Sequence, residues 1–136
     1  MGFDIEAVLR LVLAAALGAA IGYQRERAGK PAGLRTHVLI CVGSALFTLA
    51  SIYGFGGITD PSRVAAGIVT GIGFLGAGAI LHRENVKRGI VEGLTTAASI
   101  WVIAGIGLAV GAGLYLLSVV TAAIVLIVLL LPHPIR

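Results

Sequence analysis

IVTGIGFLGAGA, residues Ile68–Ala79, is the stretch that decides the fold. It is apolar enough to sit in lipid, and Gly71, Gly73, Gly76 and Gly78 clear large side chains from much of a helix surface. Glycine costs a helix interior roughly 0.5–1 kcal/mol relative to alanine, so four within eight positions demand a physical return. Lipid tails solvate leucine as well as a neighbouring helix does, and association in a bilayer therefore depends on small surfaces that approach closely. The second use of such a segment is a broken helix whose carbonyls line a polar cavity near mid-membrane. Close packing is the leading expectation here and a cavity the alternative; helices that pack closely can also frame a site.

The rest of the composition places this segment in a membrane protein. Hydrophobic residues make up 58% of the 136 positions, charged residues only 12%, and mean hydropathy is +1.05; soluble domains carry about 25% charged residues. The apolar runs are continuous and near helical membrane-spanning length, whereas barrel strands would alternate over roughly 10 residues. Asp4 and Glu6 precede the first run where a cleaved signal would carry basic residues. Cys41 is the single cysteine, which excludes an internal disulfide or a cysteine metal cage and leaves a small buried apolar side chain as the expectation. The net charge of +4 is read as topology, with no nucleic-acid partner.

About five spans are expected in one all-α integral domain covering residues 1–136: Ile5–Tyr23, Val38–Gly54, Val64–Leu81, Leu94–Ala112 and Leu114–Leu131. Gly111, Ala112 and Gly113 alone mark the last turn. Arg25, Arg27, Lys30 and Arg35 fall in the first connection, Arg83, Lys87 and Arg88 in the third, and Arg136 at the end, so eight of the ten basic residues share one side. The positive-inside bias makes that side cytoplasmic, together with the C-terminus, and leaves the N-terminus outside. Arg10 lies one turn after Glu6, where an i,i+4 ion pair and snorkelling both lower its cost; a partner in a neighbouring helix or a place in a polar pathway is the alternative.

An internal echo links the two halves. LGAAIGYQRE at Leu17–Glu26 matches LGAGAILHRE at Leu75–Glu84, and Gly33-Leu34-Arg35-Thr36 matches Gly93-Leu94-Thr95-Thr96. Spans one–two and three–four then form a parallel two-hairpin repeat, with the fifth helix added at the lipid-facing periphery. Gly18 and Gly22, Gly67 and Gly71, and Gly107 and Gly111 each form GxxxG. With Gly73, Gly76 and Gly78 they predict a glycine-rich bundle core, or a face for a homo-oligomer, most simply a dimer.

No phosphate cradle, HExxH or His/Cys cluster occurs, so an enzyme is not expected and no metal set can be assigned. The candidate functional polar residues are Arg35, Thr36 and His37 beside span two, Glu84, Glu92, Thr95 and Thr96 beside span four, and Asp60 before span three. The first groups serve either as lipid anchors and helix caps or as a polar vestibule or docking face. Glu92 also complements the N-terminus of span four. Asp60-Pro61-Ser62 reads as a helix start with Asp60 as the cap. A lone carboxylate does not specify Mg²⁺, which wants near-octahedral oxygen coordination.

Three blocks then carry a family resemblance: GKPAGLRTHVLICVGSALF at Gly29–Phe47, GIGFLGAGAIL at Gly71–Leu81, and GIVEGLTTAASIWVIAGIGLAVGAG at Gly89–Gly113. Together they resemble the transmembrane domain of the MgtC/SapB family over essentially the whole chain. The resemblance implies a bacterial inner-membrane protein tied to magnesium limitation, acid stress and, in pathogens, survival in phagocytes. It also implies a protein that works without a cofactor, Mg²⁺ binding being unproven, and that contacts membrane partners such as the F-type ATP synthase. A function for the position of Asp60 follows from the same resemblance. The C-terminal cytoplasmic domain of longer relatives is expected to be absent. The leading functional expectation is a non-enzymatic membrane protein of magnesium homeostasis; the alternative is a small Mg²⁺, K⁺ or H⁺ transporter or channel acting as an oligomer.

Overall fold

The structure, a computed structural model, describes residues 2–57, 60–81 and 87–132, apart from the side chains of 81 and 87–92. Five helices follow one another: α1 (Gly2–Arg27), α2 (Leu34–Tyr53), α3 (Ser62–Leu81), α4 (Lys87–Gly111) and α5 (Tyr115–Leu130). Four of them contain apolar stretches long enough to cross a bilayer, and α5 is a shorter apolar helix of 16 residues. The fold is an all-α, multi-pass membrane bundle.

The first three helices begin before the expected spans, and α4 begins seven residues before Leu94. Arg25 and Arg27 therefore belong to the last turn of α1, Arg35 to the first turn of α2, and Lys87 and Arg88 to the first turn of α4, where the sequence reading had put them in connections. The physical reason is that a helix leaving the hydrocarbon keeps its internal hydrogen bonds by continuing. Basic side chains at a C-terminal end such as that of α1 are moreover favoured by the helix dipole.

Two connections share one device. After α1, Lys30 N donates to Arg25 O and Gly29 N to Glu26 O, both at 3.0 Å, with Gly29 at φ 70°. After α4, Leu114 N donates to Ala109 O at 2.8 Å and Gly113 N to Val110 O at 3.0 Å, with Gly113 at φ 86°. These are Schellman closures, which need a left-handed residue that glycine supplies without strain. The turn between α4 and α5 can be so short for that reason.

Helix α2 is clasped between α1 and α4 through glycines. A Cβ on Gly18 would lie 2.9 Å from His37 O, and one on Gly22 2.8 Å from Leu34 Cα. On the other side, a Cβ on Gly111 would meet Ala45 O at 2.7 Å, and one on Gly107 would collide with Cys41 O. The core between them holds Ala14, Ile21, Cys41, Ala45, Ile103, Ile106 and Val110, with Ala122 of α5 against it. Helix α4 is central, 56% of its spanning window being buried, against 11% for α3.

The expectation for the Ile68–Ala79 segment needs correction. Of its four glycines, only Gly76 meets a neighbouring helix among the described residues, its would-be Cβ lying 3.3 Å from Ala97 Cβ of α4. Among the described residues nothing lies within 4 Å of the corresponding positions on Gly67, Gly71, Gly73 or Gly78. The closest approaches inside the chain use Gly18, Gly22, Gly107 and Gly111 around α2, and Gly93 of α4, whose would-be Cβ lies 3.1 Å from Ile80 Cα of α3. Helix α3 leans on α4 and is splayed from α2, leaving a groove of about 760 Å³ between them.

Helix α5 runs alongside α1. Arg10 Nε donates to Tyr115 Oη at 2.8 Å and Gln24 Nε2 to Leu129 O at 3.3 Å, both pairs 105 residues apart in the chain. The constant offset means that the two helices are parallel and cover the same depth between these ties. Ser118 and Ala122 face inward, and most other α5 side chains are exposed, as expected of a peripheral helix.

Candidate functional site

The polar groups that the sequence singles out do not form one site. They divide between the two ends of the bundle, because α2 alone separates Leu34 from Tyr53 by about 28 Å at 1.5 Å per residue.

At the end where α1 turns into α2, a buried polar chain crosses three helices. Arg25, 3% exposed, donates from Nη2 to Thr96 Oγ1 at 2.6 Å. Ser99 Oγ donates to Thr96 O at 2.8 Å, and His37 Nε2 lies 3.0 Å from Ser99 Oγ. The other ring nitrogen, Nδ1, is 3.0 Å from Gly33 O; a carbonyl only accepts, so Nδ1 carries a hydrogen. His37 and Thr96 are fully buried. Each link satisfies a polar group that would otherwise be costly in a lipid-embedded interior.

Local sequence dictates this convergence. On α1 the buried positions are Arg10, Ala14, Gly18, Ile21, Gly22 and Arg25, spaced so that Arg25 shares the small-residue face that α2 approaches. Gly33 and Ala32, the latter at φ 58°, bring the chain into α2, whose Leu34 N donates to Glu26 Oε1 at 2.9 Å. That bond satisfies one of the free N–H groups at the start of α2. On α4, Thr96 and Ser99 are three residues apart and present one face.

Of the predicted residues, the structure brings His37 and Thr96 into this chain through Ser99. Thr36 is exposed and lines, with Thr96, Pro31, Gly78 and Ile100, a neighbouring cavity of about 350 Å³. Arg35 is exposed and Thr95 half-buried. Glu84 and the side chain of Glu92 lie outside the described residues, as do His82, Arg83, Asn85, His133 and Arg136. Arg25 belongs to the polar set that the sequence places beside span two, as anchor or vestibule, whereas Ser99 is not singled out there. The three- and four-residue spacing from Gly22, Gly18 and Thr96 was the available signal.

At the other end, Asp60 Oδ1 accepts from Ser62 N at 3.0 Å and from Ser62 Oγ at 2.7 Å. The carboxylate thus caps α3, and these bonds, with Arg63 nearby, hold it below the usual aspartate range. A second network lies near this end. Arg10, 8% exposed, donates Nη2 to Glu6 Oε2 at 2.6 Å and Nη1 to Gly111 O at 2.7 Å, besides its bond to Tyr115. Tyr115 Oη also donates to Glu6 at 2.8 Å. The Glu6–Arg10 pair read from the sequence is present, but it extends to α4 and α5. Among the described residues no group of three or more His, Cys, Asp or Glu side chains is placed to hold a metal.

These features define a multi-pass membrane bundle with a polar network tying its helices together at each end. The chain belongs to the MgtC family, whose profile matches residues 11–136. It is 50% identical to the "Putative magnesium transporter YhiD" of Escherichia coli strain K12, the match covering 94% of this chain and 61% of that protein. Protein SapB of Bacillus subtilis strain 168 is 44% identical over 82% of this chain and 50% of its own length. Protein MgtC of Salmonella typhimurium strain LT2 is 44% identical over 88% of this chain and 49% of its own length. The matches thus span about half to three fifths of these relatives. No solved structure gives a significant match.

Proposed function

We propose that this chain is an inner-membrane component of magnesium homeostasis under low-magnesium or acid stress, acting by contact with other membrane proteins and with its own copy. Family membership supports the physiological setting. The observation that carries the mode of action is the exposure of α3, which packs on α4 and leaves Ala66, Thr70 and Gly73 uncovered, with nothing among the described residues within 4 Å of a Cβ on Gly73. In a bilayer such small-residue surface favours helix association. Ala66, Thr70 and Gly73, all exposed on the outward side of α3, are the proposed homodimer face.

The F-type ATP synthase is the first candidate partner that the family resemblance supplies. Extraction in mild detergent followed by affinity capture should recover a reproducible complex, weakened by substitutions at Arg35, Thr36 and Thr95. Recovery of no partner, with ion flux by the purified protein, would reject this reading.

Within the proposal, the five helices all cross, with the N-terminus outside and the basic ends of α1 and α4 in the cytoplasm. The distribution of arginine and lysine supports this orientation, and the parallel course of α5 and α1 supports the fifth crossing. The two-hairpin repeat is supported by the similar use of Gly18 against α2 and Gly76 against α4. Labelling of Lys30 and Lys87 from opposite faces of the membrane would overturn the orientation.

A cation transporter is the second reading, favoured by the printed name of the Escherichia coli relative. Proteoliposomes loaded for Mg²⁺, K⁺ and H⁺ flux test it, with Asp60→Ala as the site variant. Absence of ion-dependent flux from folded protein removes its basis.

A further inference from the structure

We propose that the groove between α2 and α3 is a specific phospholipid site, holding an acyl chain along its floor and the phosphate at Arg63. The groove runs on α3 from Arg63 and Val64 through Gly67 and Gly71 to Leu75, and on α2 past Gly43 and Phe47. Twelve residues of α3 are about 18 Å long at 1.5 Å per residue, slightly more than one leaflet of a hydrocarbon core about 30 Å thick. The groove is therefore as deep as one tail is long.

Its chemistry selects the occupant. Arg63 and Ser44 supply the polar lining, and the Ser44 hydroxyl is already donated to Ala104 O at 2.7 Å. The floor offers an apolar wall and one cation at the membrane edge. Arg63 is exposed, and among the described residues it forms no ion pair within 4.0 Å. Asp60, the carboxylate three residues before it, feels the Arg63 charge but makes its hydrogen bonds to Ser62. An anionic phosphate on a lipid tail complements that pattern of charge.

The groove's volume of about 760 Å³ falls within the roughly 300–1,000 Å³ of small-molecule sites. The glycines contribute by width, since a side chain at Gly67 or Gly71 would fill the channel they line.

Native mass spectrometry of the whole chain in detergent tests the site, with phosphatidylglycerol and the diacylglycerol of identical tails as probes. Phosphatidylglycerol should be retained at least about tenfold more strongly, the scale of one charge-assisted bond. Arg63→Gln should remove that preference, and Gly71→Leu should abolish retention of both lipids. Phe74→Ala, on α3 and 81% exposed but outside both the groove lining and the proposed dimer face, should retain phosphatidylglycerol as the parent does. Arg63→Gln lies at the membrane edge and keeps the experiment decisive if Gly71→Leu does not fold. Equal retention of the two lipids, or retention of neither, overturns the proposal. An Arg63→Gln protein that behaves as the parent does so too. Disulfide-linked dimers of Gly43→Cys, on the α2 wall of the groove away from the proposed dimer face, in a Cys41→Ala background would show that a second copy fills the groove, and would likewise overturn it.

Discussion

Arg25 and Thr96 lie 71 residues apart in the chain, yet the guanidinium of the first donates to the hydroxyl of the second at 2.6 Å inside the bundle. The bond ties the last turn of α1 to α4 across the start of α2. Thr96→Val keeps the shape but removes the acceptor, leaving a buried donor to be desolvated at a cost of about 1–3 kcal/mol. Thermal unfolding in detergent should show the loss, and Thr96→Ser should restore most of it. A Val variant as stable as the parent would mean that the bond contributes nothing net.

The glycines separate into two classes with opposite predictions. Gly107→Ala drives a methyl into the Cys41 carbonyl of α2, and overpacking of this kind costs about 1–3 kcal/mol. Gly73→Ala meets nothing within 4 Å among the described residues and gains helix propensity worth about 0.5–1 kcal/mol. Side-by-side melting curves check both signs. A destabilising Gly73→Ala together with a silent Gly107→Ala would refute the packing described for α2 and α3.

Tyr115 joins Arg10 and Glu6 into one network, so its hydroxyl and the Arg10 side chain should be energetically coupled. Tyr115→Phe alone should cost about 1 kcal/mol, the usual net worth of a hydrogen bond. In an Arg10→Met background the same change should cost less, because the partner is gone. A double-mutant cycle with zero coupling would contradict the geometry.

The cap on α3 titrates with a definite sign. The Asp60 carboxyl is held below its ordinary value of 3.8 by its bonds to Ser62. A depressed folded-state value contributes stability above that ordinary value and loses it as pH falls toward and through the folded one. The protection of the amides in the first turn of α3, with the intrinsic pH dependence of exchange divided out, should therefore be high at neutral pH and fall below about pH 3.8 in the parent. Asp60→Asn should flatten that dependence, and a turn whose protection ignores both pH and the substitution would exclude the cap.

The fold class was legible because apolar runs of membrane length admit few structures, and lipid forbids unpaired backbone between them. The Glu6–Arg10 pair was legible because it is local. What sequence could not resolve was which glycines meet a helix: Gly67 and Gly107 sit in identical GxxxG spacings, and only the tertiary arrangement puts α2 against one of them. The same limit hid Ser99, whose role depends on His37 arriving from another helix. Arg25 was visible as a basic residue near a membrane edge, a pattern that describes a lipid anchor equally well; its burial depends on α4.

The dependence of α3 on α4 has a consequence for biogenesis. A chain is made from its N-terminus, so α1 and α2 can pair while the remainder is still in the ribosome, whereas α3 enters the bilayer before the helix that supports it exists. Until α4 arrives, α3 stands alone with its glycines bare. Membrane insertases and quality-control proteases thus meet this protein with its third segment unshielded, and a premature stop in the Lys87–Gly111 region would strand that segment rather than shorten the bundle neatly.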